Sequence, residues 1–287
     1  MVSDSLDFSK CVNYVVDCGQ DSDLARLHSQ FGDQIPNGAK SRMGKAYTDY
    51  ILNIKSLESD GAFPYGMIEG KPASLTVTAI VLSQLYELKF GDTALINRSV
   101  SWLIDHQDER GWWLETKLVR DLMPKWEGGE NTSVKIYHTA LITGILSLFD
   151  SYLEDDLRMK VDDTLNRALD FLTRMRTENG SLIGFPQSSW VLTPAIARKY
   201  GVQSNQFSLH WSVLNNFLET KIPAISIIWI ADGLIKSGIH RQDPLISRCT
   251  KRLAGLMFTN SGHQGWLGGD NNPSVSTTIS AMNIMVY

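Results

Sequence analysis

With 287 residues, 43% hydrophobic and 20% charged, the chain has enough apolar material for a full core and is expected to form one domain spanning 1–287. A formal net charge of −4 leaves no basic footprint of the kind that binds nucleic acid. Three cysteines, Cys11, Cys18 and Cys249, are an odd number without paired spacing, which argues against a disulfide framework and for a reducing, cytoplasmic setting.

The opening Met1-Val2-Ser3-Asp4-Ser5 lacks the basic and apolar regions of a signal peptide. Leu6 to Cys18 then predicts a buried helix, and Ala39 to Leu57 an amphipathic one. A turn follows, Asp60-Gly61-Ala62-Phe63, in which a polar residue, a glycine and a large apolar residue close a helix. The same pattern returns at Arg110-Gly111-Trp112-Trp113, Asn179-Gly180-Ser181-Leu182 and Gln264-Gly265-Trp266-Leu267. Beyond three of these turns, Pro72-Ala73-Ser74-Leu75, Asn131-Thr132-Ser133-Val134 and Pro273-Ser274-Val275 open helices at Val77 to Leu88, Thr139 to Phe149 and Val275 to Tyr287.

Those helices, with Ile222 to Ile235, are apolar on nearly every side and must be buried on every side. Ile222 to Ile235 is too short to span a bilayer and carries Asp232. Leu95 to His106, Leu157 to Arg176 and Pro244 to Phe258 instead have one apolar stripe and one charged face. Ser189 to Leu218 holds a less regular pair. Alternation of the two helix types predicts an all-α fold, an (α/α)5–6 toroid with inner and outer rings, with Ala79, Ala140 and Ala281 where inner helices cross.

Arg98-Ser99-x-x-Trp102-Leu103-x-x-x-Gln107-x-x-x-Gly111-x-Trp113 resembles the QW repeat of squalene and diterpene cyclases. Arg167-Ala168-x-x-Phe171-Leu172-x-x-x-Arg176-x-x-x-Gly180-x-Leu182 is a degenerate copy, and Arg252 to Leu267 a weaker one. The resemblance to terpenoid cyclases and protein prenyltransferase β subunits implies an α/α toroid acting on an isoprenoid in a central aromatic cavity.

That resemblance also locates the chemistry. The acid motif of protonating cyclases would fall at Ser74 to Ala79, Lys135 to Ala140 or Ser276 to Ala281, and none of these segments carries an acid. Lys135-Ile136-Tyr137-His138-Thr139 resembles the Tyr-His-Thr element of prenyltransferase β subunits, where the His ligates zinc. No Asp-x-Cys partner exists, so zinc, which needs three or four protein ligands, is not expected. The expected catalytic set is His138, Tyr137, Glu130 and Asp232; a carboxyl buried in so apolar a helix as that of Asp232 would hold its proton more tightly. Glu127 and Glu130, in the loop before the Tyr137–His138 helix, would hold Mg²⁺ if the substrate were a diphosphate. Tyr65, Trp126, Trp190, Trp211 and Trp229, with Lys135, would line the substrate; aromatic faces stabilise carbocations.

The leading expectation is thus a monodomain terpene cyclase-like enzyme acting on a small hydrophobic isoprenoid. The rivals are a non-catalytic toroid that binds a ligand or partner, and a prenyltransferase β-like subunit paired with an α subunit. A homo-oligomer is compatible with each.

Overall fold

The computed structural model describes residues 6–260 and 262–286. The segment read for a leader, Met1 to Ser5, and the last residue of the predicted helix, Tyr287, lie outside them. The protein is mostly helical, at 65%. In chain order the described α-helices are α1 (Phe8–Cys18), α2 (Asp21–Phe31), α3 (Asn37–Leu57), α4 (Leu75–Glu87), α5 (Thr93–Asp105), α6 (Lys117–Arg120), α7 (Thr132–Leu146), α8 (Asp155–Arg174), α9 (Gln187–Val191), α10 (Thr193–Tyr200), α11 (Asn205–Glu219), α12 (Ala224–Lys236), α13 (Pro244–Ala254) and α14 (Val275–Val286). The strands are short: β1 (Phe63–Pro64) pairs antiparallel with β2 (Ala73–Ser74), and β4 (Gln264–Leu267) lies between β3 (Met257–Thr259) and β5 (Pro273–Ser274). No described helix is long and apolar enough to cross a membrane.

Helix starts follow the polar residues ahead of them. The side chains of Asp7, Asp92, Asn131 and Asp243 accept the otherwise unpaired amides of Lys10, Leu95, Val134 and Leu245. The chain falls into two compact units. One comprises Ile54–Tyr86 and Phe90–Leu214; the other comprises Met1–Asn53, Glu87–Lys89 and Asn215–Tyr287.

In the unit built on 54–86 and 90–214, α7 packs on α8, α9 and α10, and α5 packs on α8. Leu82 of α4, Val100 and Leu103 of α5, Ile142 and Leu146 of α7 and Val161 of α8 form its core around Trp113. In the other unit, α12 packs on α13 and α14, and α1 on α2 and α14. Asp232, expected as a buried acid, lies there on α12 with its side chain 30% exposed and its carboxylate 2.7 Å from Lys236. The desolvated acid read from the sequence is therefore a paired carboxylate, because the i+4 lysine reaches back to it. Lys236 and Arg26 also hold Glu87; although burial opposes its charge, the two cations keep its pKa below the usual carboxylate value.

The glycine turns are joined to the helices by one repeated device. The amide of Phe63 donates to Thr78 Oγ1 at 3.0 Å, that of Trp113 to Thr139 Oγ1 at 3.0 Å, and that of Trp266 to Thr278 Oγ1 at 3.1 Å. Thr78 and Thr278 are the fourth residues of α4 and α14 and Thr139 the eighth of α7, so the apolar residue after the glycine is clamped under the helix it precedes. The two tryptophans reach the other way: Trp113 Nε1 donates to Leu103 O and Trp266 Nε1 to Leu253 O, at 2.8 and 2.7 Å.

A second device joins successive amphipathic helices. Gln107 Nε2 donates to Thr164 O, while Arg167 Nε donates to Gln107 Oε1 at 2.9 Å. Glu58 and Arg98 make the equivalent bond one repeat earlier. Gly61 and Gly111 have φ of +87° and +89°, and a Cβ on either would stand 2.4 or 2.3 Å from the carbonyl oxygen of Arg98 or Arg167. Only glycine meets both demands.

Candidate site at the start of α4 and α7

The start of α4 is held by a residue distant in sequence, whereas α7 is capped by Asn131 directly ahead of it. Glu115, 2% exposed, sits beside the first turn of α4. Its Oε1 accepts from Ser74 Oγ (2.6 Å), Thr76 N (2.7 Å) and Thr76 Oγ1 (2.8 Å), and its Oε2 from Leu75 N (3.0 Å). A carboxylate at a helix N-terminus satisfies unpaired amides and complements the helix dipole.

At α7 lies a group with the opposite property. His138 is 0% exposed, and neither Nδ1 nor Nε2 has a hydrogen-bond partner. Burial, with the charge of Arg120 adding to it, lowers its pKa to about 4, so the ring is neutral near pH 7. Arg120, on α6, has a side chain 9% exposed. Its Nη2 pairs with the exposed Glu130, whereas its buried Nε and Nη1 have no partner. A buried donor or acceptor left unmade costs roughly 1–3 kcal/mol. Four such atoms on two neighbouring side chains mark a place suited to receive a polar group.

Aromatic rings border it. Trp126, Tyr137 and Phe185 stand with ring centroids 5.6–6.2 Å apart. Trp126 is 54% exposed. Burial, then the nearby charge of Glu127, raises the Tyr137 hydroxyl to about 12. Burial and repulsion from Glu115 likewise raise the pKa of Glu127.

The structure thus gathers Tyr137, His138, Trp126, Glu127 and Glu130 in one region of one unit. Lys135 places Nζ 4.5 Å from the centre of the Trp112 ring, and Tyr65 donates to Leu122 O. Trp190 is buried on α9, and Trp211 lies beside Phe207 on α11. Trp229 and Asp232 belong to the other unit. Glu130 spends its carboxylate on Arg120. Among the described residues no group of three or more His, Cys, Asp or Glu converges as a metal site would.

Sequence reasoning missed Arg120 and Glu115. Glu115 follows the Gly-x-Trp turn by two residues and faces helix starts about forty residues back, a partnership that local periodicity does not encode. All three cysteines are free. Burial raises the Cys11 and Cys249 thiols to about 12 each, and Cys11 Sγ lies 3.8 Å from Gln264 Oε1.

Comparison with known families settles the ancestry. The family model of the A-macroglobulin TED domain, a thioester-containing domain, matches residues 21–200. Among curated proteins none matches the chain. The matched residues include Arg98 to Trp113, Lys135 to Thr139 and Arg167 to Leu182, the segments that carried the resemblance to terpenoid cyclases and prenyltransferases. That resemblance is corrected, and the cyclase activity and isoprenoid substrate drawn from it are set aside. The physical reason is that the residues of the repeated turns, Gln107, Trp113 and Arg167, tie helices together, and helix ties describe an architecture that hosts more than one chemistry. Well over half of the chain matches this one family, and the chain belongs to the A-macroglobulin TED domains.

Proposed function

We propose that the chain is a TED-family domain that works by non-covalent recognition at the α6–α7 site, without an internal thioester. A thioester needs a cysteine sulfur, and Cys11, Cys18 and Cys249 all lie outside the matched residues 21–200. That observation carries the proposal. Arg120, Glu127, Tyr137 and His138 all lie inside the match. The high pKa of Cys11 also keeps it a thiol, a poor nucleophile towards the carboxamide of Gln264. The alternation of fully buried and amphipathic helices supports a double ring of inner and outer helices as the scaffold.

The test is the intact mass of the purified protein with a count of titratable thiols after denaturation. The unmodified sequence mass with three thiols is expected. Closing a thioester between a cysteine and a glutamine expels ammonia, so a mass about 17 Da lower, raised by about 18 Da on hydrolysis or by the mass of an added amine, with release of one thiol, would overturn the proposal.

A further inference from the structure

We infer that Arg120 and His138 form a receptor for the carboxylate of a small organic acid whose apolar body lies on Trp126, Tyr137 and Phe185. The inference rests on the recognition role proposed above and names the ligand class. Four observations carry it. Arg120 is neutralised only on its outer edge, by Glu130, so its inner Nε and Nη1 keep positive potential and unpaired donors inside the protein. His138, fully buried on α7, has no partner at either ring nitrogen and so has one donor to give. The three rings stand beside His138, with Tyr137 adjoining it in sequence and at 5.9 Å between ring centroids, and Arg120 is tied by Glu130 to the loop that leads into the same helix. Finally, the segment bearing Arg120 also carries Leu118, Leu122 and Trp126, which are 70%, 42% and 54% exposed.

The charges divide in a way that selects an anion. Glu115 is already matched by four hydrogen bonds and Glu130 by Arg120, whereas Arg120 keeps two buried nitrogens without an acceptor. A carboxylate entering beside His138 meets donors. Both side chains are nearly closed to solvent, whereas Trp126, among the rings, is 54% exposed.

The experiment is calorimetric titration of the whole chain with phenylacetate, phenylacetamide and benzylamine. Phenylacetate is expected to bind saturably at roughly millimolar concentration, as suits so small a ligand, and at least about tenfold tighter than the neutral amide or the cation. Arg120→Met should weaken phenylacetate at least about tenfold, with an unchanged circular dichroism spectrum. If Arg120→Met does not fold, His138→Gln serves in its place with the same expected loss. Equal binding of acid and amide overturns the inference, as does tighter binding of benzylamine, which would point to Glu127. So does the absence of saturation by phenylacetate, or full binding by a folded Arg120→Met. The mass and thiol count are unaffected by any of these results, so the failure of this inference is distinguishable from that of the thioester-free role.

Discussion

Glu115 is the residue whose removal should be felt most at the start of α4. Glu115→Ala would leave the amides of Leu75 and Thr76 buried without an acceptor. The hydroxyls of Ser74 and Thr76, 3.3 Å apart, can turn to each other, so they add less. Two stranded amides at roughly 1–3 kcal/mol each give a loss of about 4 kcal/mol. At roughly 2–4 °C per kcal/mol for a protein of this size, the melting temperature should fall by about 10 °C. Glu115→Gln is the finer probe. Its amide oxygen could keep the three bonds now made by Oε1, while its NH₂ would face the Leu75 amide, donor to donor. Its expected loss is about half as large, roughly 2 kcal/mol. Calorimetric or circular dichroism melts measure both variants, and hydrogen exchange at Leu75 and Thr76 locates the effect. An alanine variant melting within about 2 °C of wild type would refute the capping argument.

The two buried histidines predict a pH dependence. His138 and His210 have folded pKa values lowered to about 4 and about 3, both chiefly by burial. Between those values and 6.5 the unfolded chain binds more protons, so stability is full above about pH 6.5 and falls as the pH drops. His138 alone should contribute a loss of roughly 3 kcal/mol by pH 4. Urea midpoints that stay constant from pH 7 to pH 4.5 would contradict this. Gly111→Ala places Cβ against Arg167 O and should destabilise by about 3 kcal/mol or more. Gly238→Ala, with φ +80° but nothing within 4 Å, should cost only about 1–2 kcal/mol; equal losses would show that the helix contact at Gly111 is unimportant.

Much of the helical scaffold was legible because burial and charge leave different periodicities. Ile222 to Ile235 was read as a buried helix and α12 spans Ala224–Lys236; Leu157 to Arg176 was read as amphipathic and α8 spans Asp155–Arg174. The second helix, α2, was missed. Its Asp21, Ser22, Asp23, Ser29 and Gln30 look like a loop, and its buried face, Leu24, Leu27 and Phe31, includes Arg26, which belongs there only because Glu87, Ser276 and Ser280 meet it. Tyr137 and His138, expected just ahead of a helix over Thr139 to Phe149, are the sixth and seventh residues of α7, which begins at Thr132 because Asn131 caps it there. Arg120 was not legible, since nothing local distinguishes an arginine with half its guanidinium unpaired from one in solvent. Asp232 was misread for the complementary reason: an acid in an apolar run suggests desolvation until Lys236, one turn later, is seen to hold it.

The misassigned family follows from where polar atoms are spent. In the segment Arg98 to Trp113, Gln107 donates to one neighbouring carbonyl and accepts from Arg167, Trp113 gives both its amide and its indole N–H to the scaffold, and Gly111 is pressed against a backbone oxygen. Side chains so occupied have nothing left for a substrate. They recur wherever helices must be tied end to end, and their likeness between families reports that mechanical need. His138 and Arg120 are outside the tie and keep buried donors and acceptors unspent. A buried polar atom without a partner is costly to stability. Its retention needs a return that packing does not supply, and binding a ligand is one. Function in this fold is therefore better sought in unspent polar atoms than in the repeated residues that make the fold recognisable.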